Sequence, residues 1–279
     1  MTWAAAPLGD DSGGLRHVGG VWVLTWPALD ALGVDVAVTT RIGGVSTGPY
    51  ESLNLGLHVD DDPDAVVENR RRAVAALGAT LDDLVVAEQV HGARAAIVTA
   101  RDRGRGARSV TDAIAGADAL VTAGPGPVLA MLVADCVPVV LVDPTAGVLA
   151  CVHAGWRGTA ARVLDSALHA MGTLGSRPGQ VTAAIGPAVS ADRYQVGAEV
   201  AGALQASLGG ATEGVLRADG TGRWLADLPE ANRRILVEAG VPDHSIHRSA
   251  MPTGPRGPFF SDRASRPCGR FAALARFRP

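Results

Sequence analysis

The sequence predicts an α/β (α+β) fold: one layered domain with mixed β-sheets flanked by helices. Three observations predict it. Near-continuous Val/Leu runs at 128–133, 138–142 and 147–152 read as strands buried on both faces. Segments with helical spacing of apolar residues are interleaved with strand-like segments along the chain. Several strands also succeed each other with no room for a crossover helix, which a strictly parallel sheet requires. No internal repeat and no long linker divides the 279 residues, so the expected organisation is a flexible leader at 1–16 and one domain at 17–279.

Residues 1–16 are small, polar and Gly-rich, and strands are expected at 21–24 and 34–38. A Gly/Ser/Pro loop covers 41–50, and 52–57 follows it. Residues 62–77 read as a helix, with Asp61 or Asp62 as N-cap and Pro63 just inside the start. Val66, Val67, Ala73, Val74 and Leu77 fall at roughly helical spacing there. Short strands follow at 84–87, 95–99 and 119–122, with a solvated Gly/Arg loop at 101–109 between them. After the three apolar runs, 159–171 reads as a helix, 181–185 as a strand, and 196–208 and 229–239 as helices. The stretch 245–277 is rich in Pro, Gly and Arg and reads as irregular.

Composition excludes several functions. Apolar residues make up 47% and aromatic ones 4%, so the core must be mostly Ala, Val and Leu. A net charge of -3 argues against nucleic acid or a polybasic membrane surface as partner. No run of 18 apolar residues exists, so no membrane span is expected. The first 14 residues lack a basic segment followed by an apolar one, so no signal peptide is expected. Three cysteines give no disulfide framework, and a reducing cytoplasm fits. All 25 basic residues other than histidine are arginine. Lysine Schiff bases and a Walker A lysine are therefore excluded, and any phosphate must be held by Arg, backbone N–H groups or a metal.

Four clusters carry candidate chemistry: Glu88-Gln89-Val90-His91-Gly92, Ala134-Asp135-Cys136, Val152-His153-Ala154-Gly155-Trp156-Arg157-Gly158, and the polar loop with Arg41, Ser46 and Asn54. Cys136 and His153 each stand where an apolar strand ends, the place where sheet proteins bind ligands. Cys151, mid-run, reads as a small buried hydrophobe. His17, His58, His169, His244 and His247 read as surface or capping residues. His91, Cys136 and His153 are 45 and 17 residues apart and match no standard zinc spacing. On the residues alone, a His/Cys/His metal site and a Cys136–His153 nucleophilic pair stand level.

The runs Thr39-Thr40-Arg41-Ile42-Gly43-Gly44-Val45-Ser46 and Tyr50-Glu51-Ser52-Leu53-Asn54-Leu55-Gly56 resemble the opening of the YfiH/YlmD family, also called the laccase-domain or multicopper polyphenol oxidase family. The resemblance continues through Glu68-Asn69-Arg70, Gln89-Val90-His91-Gly92, Ala117-Asp118-Ala119, Ala134-Asp135-Cys136-Val137-Pro138 and His153-Ala154-Gly155-Trp156-Arg157-Gly158. It ends in Ile185-Gly186-Pro187, Tyr194-Gln195-Val196-Gly197, Phe259-Phe260-Ser261-Asp262-Arg263 and Gly269-Arg270-Phe271-Ala272-Ala273. It implies the layered fold shared with cytotoxic-necrotizing-factor-like proteins, and His91, Cys136 and His153 as metal ligands. It also implies zinc-dependent purine nucleoside chemistry: phosphorolysis of adenosine, inosine, guanosine and methylthioadenosine, and deamination of adenosine. Some members are instead associated with editing of peptidoglycan precursors. The chain departs from the pattern at Ser249-Ala250 and Ala188, where the family often carries cysteine, which weakens any multicopper centre.

Two histidines and a thiolate leave zinc an open position, where bound water has its pKa lowered to about 7. The expected partners are a purine nucleoside and phosphate, the latter held by Arg41, Ser46, Asn54 and Arg157, with Arg70 more an ion-pair partner near Glu68 than a ligand. Asp135 or Glu88 is expected to orient a ligand histidine or shuttle a proton. A monomer is expected. Three readings compete: a Cys136 amidase acting on UDP-MurNAc-peptide precursors, a copper polyphenol oxidase, and a non-catalytic module with a closed metal site. The oxidase ranks lowest, because seven histidines are too few for its copper centres.

Overall fold

The apolar runs become the central strands of two six-stranded sheets. The computed structural model describes residues 13–278. The first sheet has the order β1 (Gly14–Val18), β2 (Val21–Thr25), β3 (Val34–Thr39), β15 (Phe271–Phe277), β7 (Val128–Val133) and β4 (Leu84–Val86). The second has the order β14 (Ile246–Arg248), β10 (Thr182–Ile185), β8 (Val137–Asp143), β9 (Val148–Ala154), β6 (Ala119–Ala123) and β5 (Ala95–Ile97). A small third sheet joins β11 (Gln195–Gly197), β13 (Arg223–Ala226) and β12 (Leu216–Ala218). Both large sheets are mixed, being antiparallel at the centre with parallel pairs at β4/β7, β5/β6 and β10/β14.

Strand alternation divides the core into three layers. Leu129, Met131 and Val133 of β7 face Val140, Val142, Leu149 and Cys151 of the second sheet, so the sheets pack face to face. Ala130 and Leu132 point the other way, toward Ala73, Val74 and Leu77 of the helix side. Val139, Leu141, Ala150 and Val152 form the outer face of the second sheet, against Leu164, Leu168, Met171 and Ile235. The helices are a short α1 (Pro27–Asp30), α2 (Pro63–Ala75), α3 (Trp156–Ala160), α4 (Val163–Thr173), α5 (Ala198–Ser207) and α6 (Leu228–Glu238). Helix, sheet, sheet and helices thus stack in four layers. No helix among the described residues is long and apolar enough to cross a membrane.

Helix α2 starts as its caps predict: the Asp62 side chain accepts from Asp64 N–H, and Pro63 fills the first turn. Elsewhere the structure corrects the expectations. The 159–171 helix is two helices, α3 and α4, broken at Arg162, which adopts φ 58. Its guanidinium there binds Asp165, the Ser207 carbonyl and Glu238. The supposedly irregular 245–277 contains β14 and β15, and β15 is a central strand of the first sheet. Phe271, Ala273 and Ala275 face one core layer, while Ala272 and Leu274 face another. Small alanines and a terminal Arg276, paired with Asp35, hide that pattern in the composition. Most of the expected leader, residues 1–12, lies outside the described residues, and Gly14–Val18 already forms β1.

Candidate functional site

The topology explains how residues 45 and 17 positions apart can meet. β4 and β7 run parallel, with Val86 opposite Ala130, so both leave the first sheet at the same end. Each then crosses to the second sheet. The connection after β4 carries Glu88 to Gly92, and the connection after β7 is only Ala134-Asp135-Cys136. β9 returns antiparallel to β8 and sets His153 opposite Pro138, at that same end. The ligand atoms of His91, Cys136 and His153 all lie within 4.8 Å of one another. The two imidazole rings meet edge-on, with centroids 4.8 Å apart and an interplanar angle of 82°.

Several features hold this arrangement. The Gln89 amide donates to Leu132 O and accepts from Leu132 N–H, both at 2.8 Å, which ties the His91 segment to the end of β7. His91 and Asp135 hold the left-handed conformation, with φ 59 and 85, a region sparsely used by side-chain-bearing residues and concentrated at functional sites. Gly155 caps the start of α3; a Cβ there would lie 2.9 Å from Cys136 Sγ and 3.2 Å from His91 Cδ2. Its φ of -71 is open to any residue. Only the space for the donor cluster demands glycine.

Asp118 is the organising residue that sequence reasoning missed. It is fully buried just before β6. His153 Nδ1–H donates to its Oδ1 at 2.8 Å. The backbone N–H groups of His91 and Gly92 donate to the same carboxylate at 3.0 and 2.7 Å. One carboxylate therefore fixes the ring of one donor and the backbone of another, leaving His153 Nε2 to face the cluster. This is the carboxylate–histidine support that metal sites use. The expected orienters are engaged elsewhere. Asp135 accepts from the Thr253 hydroxyl and from Arg263 N–H, and Glu88 accepts from Gly116 N–H at 3.3 Å. The signal available in the sequence was a lone charge, Ala117-Asp118-Ala119, leading into an apolar strand.

Electrostatics favour a thiolate at this cluster. Burial would push the Cys136 thiol up, but hydrogen bonds from His153 and His91 outweigh it and bring it below the ordinary thiol range. Burial would lower His153, but Asp118 and Cys136 raise it. Cys151, fully buried between the sheets, has its thiol pushed up to about 12 by burial, as its mid-strand position predicts. A soft thiolate with two imidazoles, one backed by a carboxylate, is a donor set suited to zinc or copper.

The cluster opens into a cavity of about 730 Å³, lined among others by Gln89, Leu132, Trp156, Tyr194, Arg263 and Arg270. Arg41, Ser46, Asn54 and Arg157 do not line it. Arg41 stacks over Phe260 and donates to Glu51 O. Ser46 and Asn54 are buried and both donate to Asp61 Oδ2. Arg157 lies over the Trp156 ring, 4.3 Å from its centroid. Among the described residues Arg70 pairs with no acid: it is buried and donates to the carbonyls of Leu55, Gly106 and Ala107, while Arg71 and Arg72 bind Glu68.

The family model described as multi-copper polyphenol oxidoreductase laccase matches residues 35–278. The crystal structure of YlmD from Geobacillus stearothermophilus superposes with a TM-score of 0.90 at 38% identity, covering 95% of this chain and 98% of that one. A purine nucleoside phosphorylase of Deinococcus radiodurans is 44% identical over 212 residues, 76% of this chain and 78% of its own. Adenosine deaminase RL5, from an unknown prokaryotic organism, is 39% identical over 217 residues, 78% of this chain and 83% of its own. By the family-model match and by its fold, the chain belongs to the multi-copper polyphenol oxidoreductase laccase family, among the YlmD/YfiH-type proteins.

Proposed function

We propose that the protein is a zinc-dependent purine nucleoside enzyme of the cytoplasm. It catalyses phosphorolysis of adenosine, inosine, guanosine and methylthioadenosine to base plus ribose 1-phosphate (the methylthio sugar phosphate in the last case), and hydrolytic deamination of adenosine. The observation that carries this reading is the meeting of His91, Cys136 and His153 in a cavity of nucleoside size, with Asp118 behind His153. The names of the relatives above supply the substrate class.

His91, Cys136 and His153 would hold the metal. Zinc so held supplies a Lewis acid and lowers the pKa of bound water to about 7. Asp118 sets the His153 tautomer, with the proton on Nδ1 and the Nε2 lone pair free to ligate. Trp156 and Tyr194 offer aromatic surface for a purine base. Burial pushes the Tyr194 hydroxyl up to about 12, so it stays protonated and able to donate. In deamination, water adds at C6 of adenine and ammonia leaves. In phosphorolysis, phosphate attacks the anomeric carbon and the purine departs. Zinc is preferred to copper as the working metal because, among the described residues, this is the one cluster of three such donors, whereas a multicopper centre needs several.

A second reading has one observation behind it: Asp118, His153 and Cys136 are also ordered as a nucleophilic triad. It predicts amide hydrolysis that survives metal removal. Metal analysis paired with product analysis separates the two. The zinc-loaded protein should convert adenosine to inosine without phosphate, and release adenine with ribose 1-phosphate only when phosphate is added. Chelation should abolish both. Absence of both products from zinc-loaded protein would overturn the nucleoside reading.

A further inference from the structure

Phosphorolysis needs a second substrate, an oxyanion, and the loop expected to hold it is poorly suited. Ser46 Oγ and Asn54 Nδ2 donate to Asp61 Oδ2 at 2.6 and 2.8 Å, so a phosphate there would face a carboxylate. The arginines that line the cavity are Arg70, Arg263, Arg266 and Arg270, none of them from that loop's Ser46/Asn54 network.

Arg70 is 3% exposed and, among the described residues, has no carboxylate partner. Its Nε donates to Leu55 O at 2.8 Å and its Nη1 to Gly106 O and Ala107 O, leaving Nη2 without a protein partner where the residue borders the cavity. Arg263 follows the Phe259-Phe260 core pair. Its backbone N–H is anchored at 2.6 Å on Asp135, the neighbour of Cys136. Its guanidinium lies 5.2 Å from the Tyr194 ring centroid and donates only to Gln195 O. Arg270 shares a single carboxylate, Asp262, with Arg266.

The acidic groups of the same cavity are committed locally. Glu88 accepts from Gly116 N–H, Asp135 from Thr253 and Arg263 N–H, and Asp262 serves two arginines. Among the described residues, neither Arg70 nor Arg263 pairs with a carboxylate. A guanidinium turned toward a cavity in this way matches a tetrahedral oxyanion in charge and in its forked donor geometry. His58 lines the same cavity, and burial, followed by the charges of Arg270, Arg70 and His91, pushes its pKa down.

We propose that Arg70, Arg263 and Arg270 form the seat for inorganic phosphate, on the cavity wall beside the His91/Cys136/His153 cluster. The proposal rests on the phosphorylase reading for its biological role. Arg263 is the residue to change first, because its side chain is exposed, whereas Arg70 is buried and binds carbonyls of two other backbone segments, at Leu55 and at Gly106-Ala107. In the holoenzyme, phosphorolysis of inosine is measured against phosphate concentration, and adenosine deamination is measured without phosphate. Arg263→Gln and Arg270→Gln should raise the phosphate KM about 10- to 100-fold relative to any change in deamination kcat/KM. Arg263→Lys should recover part of the loss. Arg217→Gln, exposed on β12, is the control and should leave both reactions as in the wild type. An unchanged phosphate KM, or an equal fall in both reactions, would overturn the seat. If the wild type turns over neither nucleoside, the functional reading fails and calorimetry with inorganic phosphate alone decides the seat. Saturable binding that weakens tenfold or more in folded Arg263→Gln upholds it. No binding, or equal binding by the variant, overturns it.

Discussion

The polar loop around Ser46 and Asn54 and the sheet-end cluster around Cys136 look alike in the sequence. Both place polar residues beside glycine near the ends of apolar strands. They differ in where their hydrogen bonds go. In the loop, Asn69 accepts from Val45 N–H and donates to Ser46 Oγ, Ser52 O and Asn54 O, while Asp61 takes up the remaining donors of Ser46 and Asn54. Gly44 lets the Ser52 carbonyl approach so closely that a Cβ would lie 2.0 Å from it. The loop is a closed network that fixes its own shape. At the cluster, His153 spends one ring nitrogen on Asp118, and the other, with Cys136 Sγ and His91, faces a cavity. A polar motif is available for chemistry where its donors are left facing open space, and is structural where they are consumed.

Substitutions can break this contrast. The largest expected effect is from Gly155→Ala. Its methyl would enter the donor cluster, so nucleoside turnover should fall on the order of 10²-fold or more, with loss of bound metal, while the fold persists. Asp118→Asn should follow, weakening metal affinity or activity about 10- to 100-fold, because the amide cannot serve His153 and the backbone donors as the carboxylate does. Metal titration and steady-state kinetics check both. In the loop the pattern should invert. Asn69→Ala should cost roughly 3 kcal/mol or more of stability by denaturant unfolding, with activity per folded molecule retained. The mildest probe compares Cys136, in the β7–β8 connection, with Cys151 of β9. In chelated, folded protein, Cys136 should alkylate near neutral pH, since its thiol is held below the ordinary range, and Cys151 should stay unmodified until unfolding. Equal labelling of both would contradict the contrast.

The sequence disclosed the frame unevenly, for physical reasons. The Val runs of β7, β8 and β9 were legible because strands buried on both faces must be apolar throughout. β15 was not, because alanine carries weak periodic signal and its flanking arginines resemble loop composition. The break at Arg162 was invisible because left-handed backbone there is set by tertiary contacts to Ser207 and Glu238. At the site, Cys136 and His153 could be singled out by their strand-end positions, and His91 by the glycine beside it. Their meeting could not, since it depends on two crossovers leaving the first sheet at one end. Asp118 carries its signal only as a charge in an apolar setting, and the cavity arginines become candidates only once Glu88, Asp135 and Asp262 are seen to be committed.

Metal stoichiometry of the purified wild type beside Cys136→Ala, each tested for adenosine conversion, bears most directly on the His91/Cys136/His153 centre. The wild type should carry about one equivalent of zinc per chain, consistent with one three-donor cluster, and turn adenosine over. The variant should lose both metal and turnover while remaining folded. Full activity in metal-free wild type, or stoichiometric metal retained by Cys136→Ala, would contradict it.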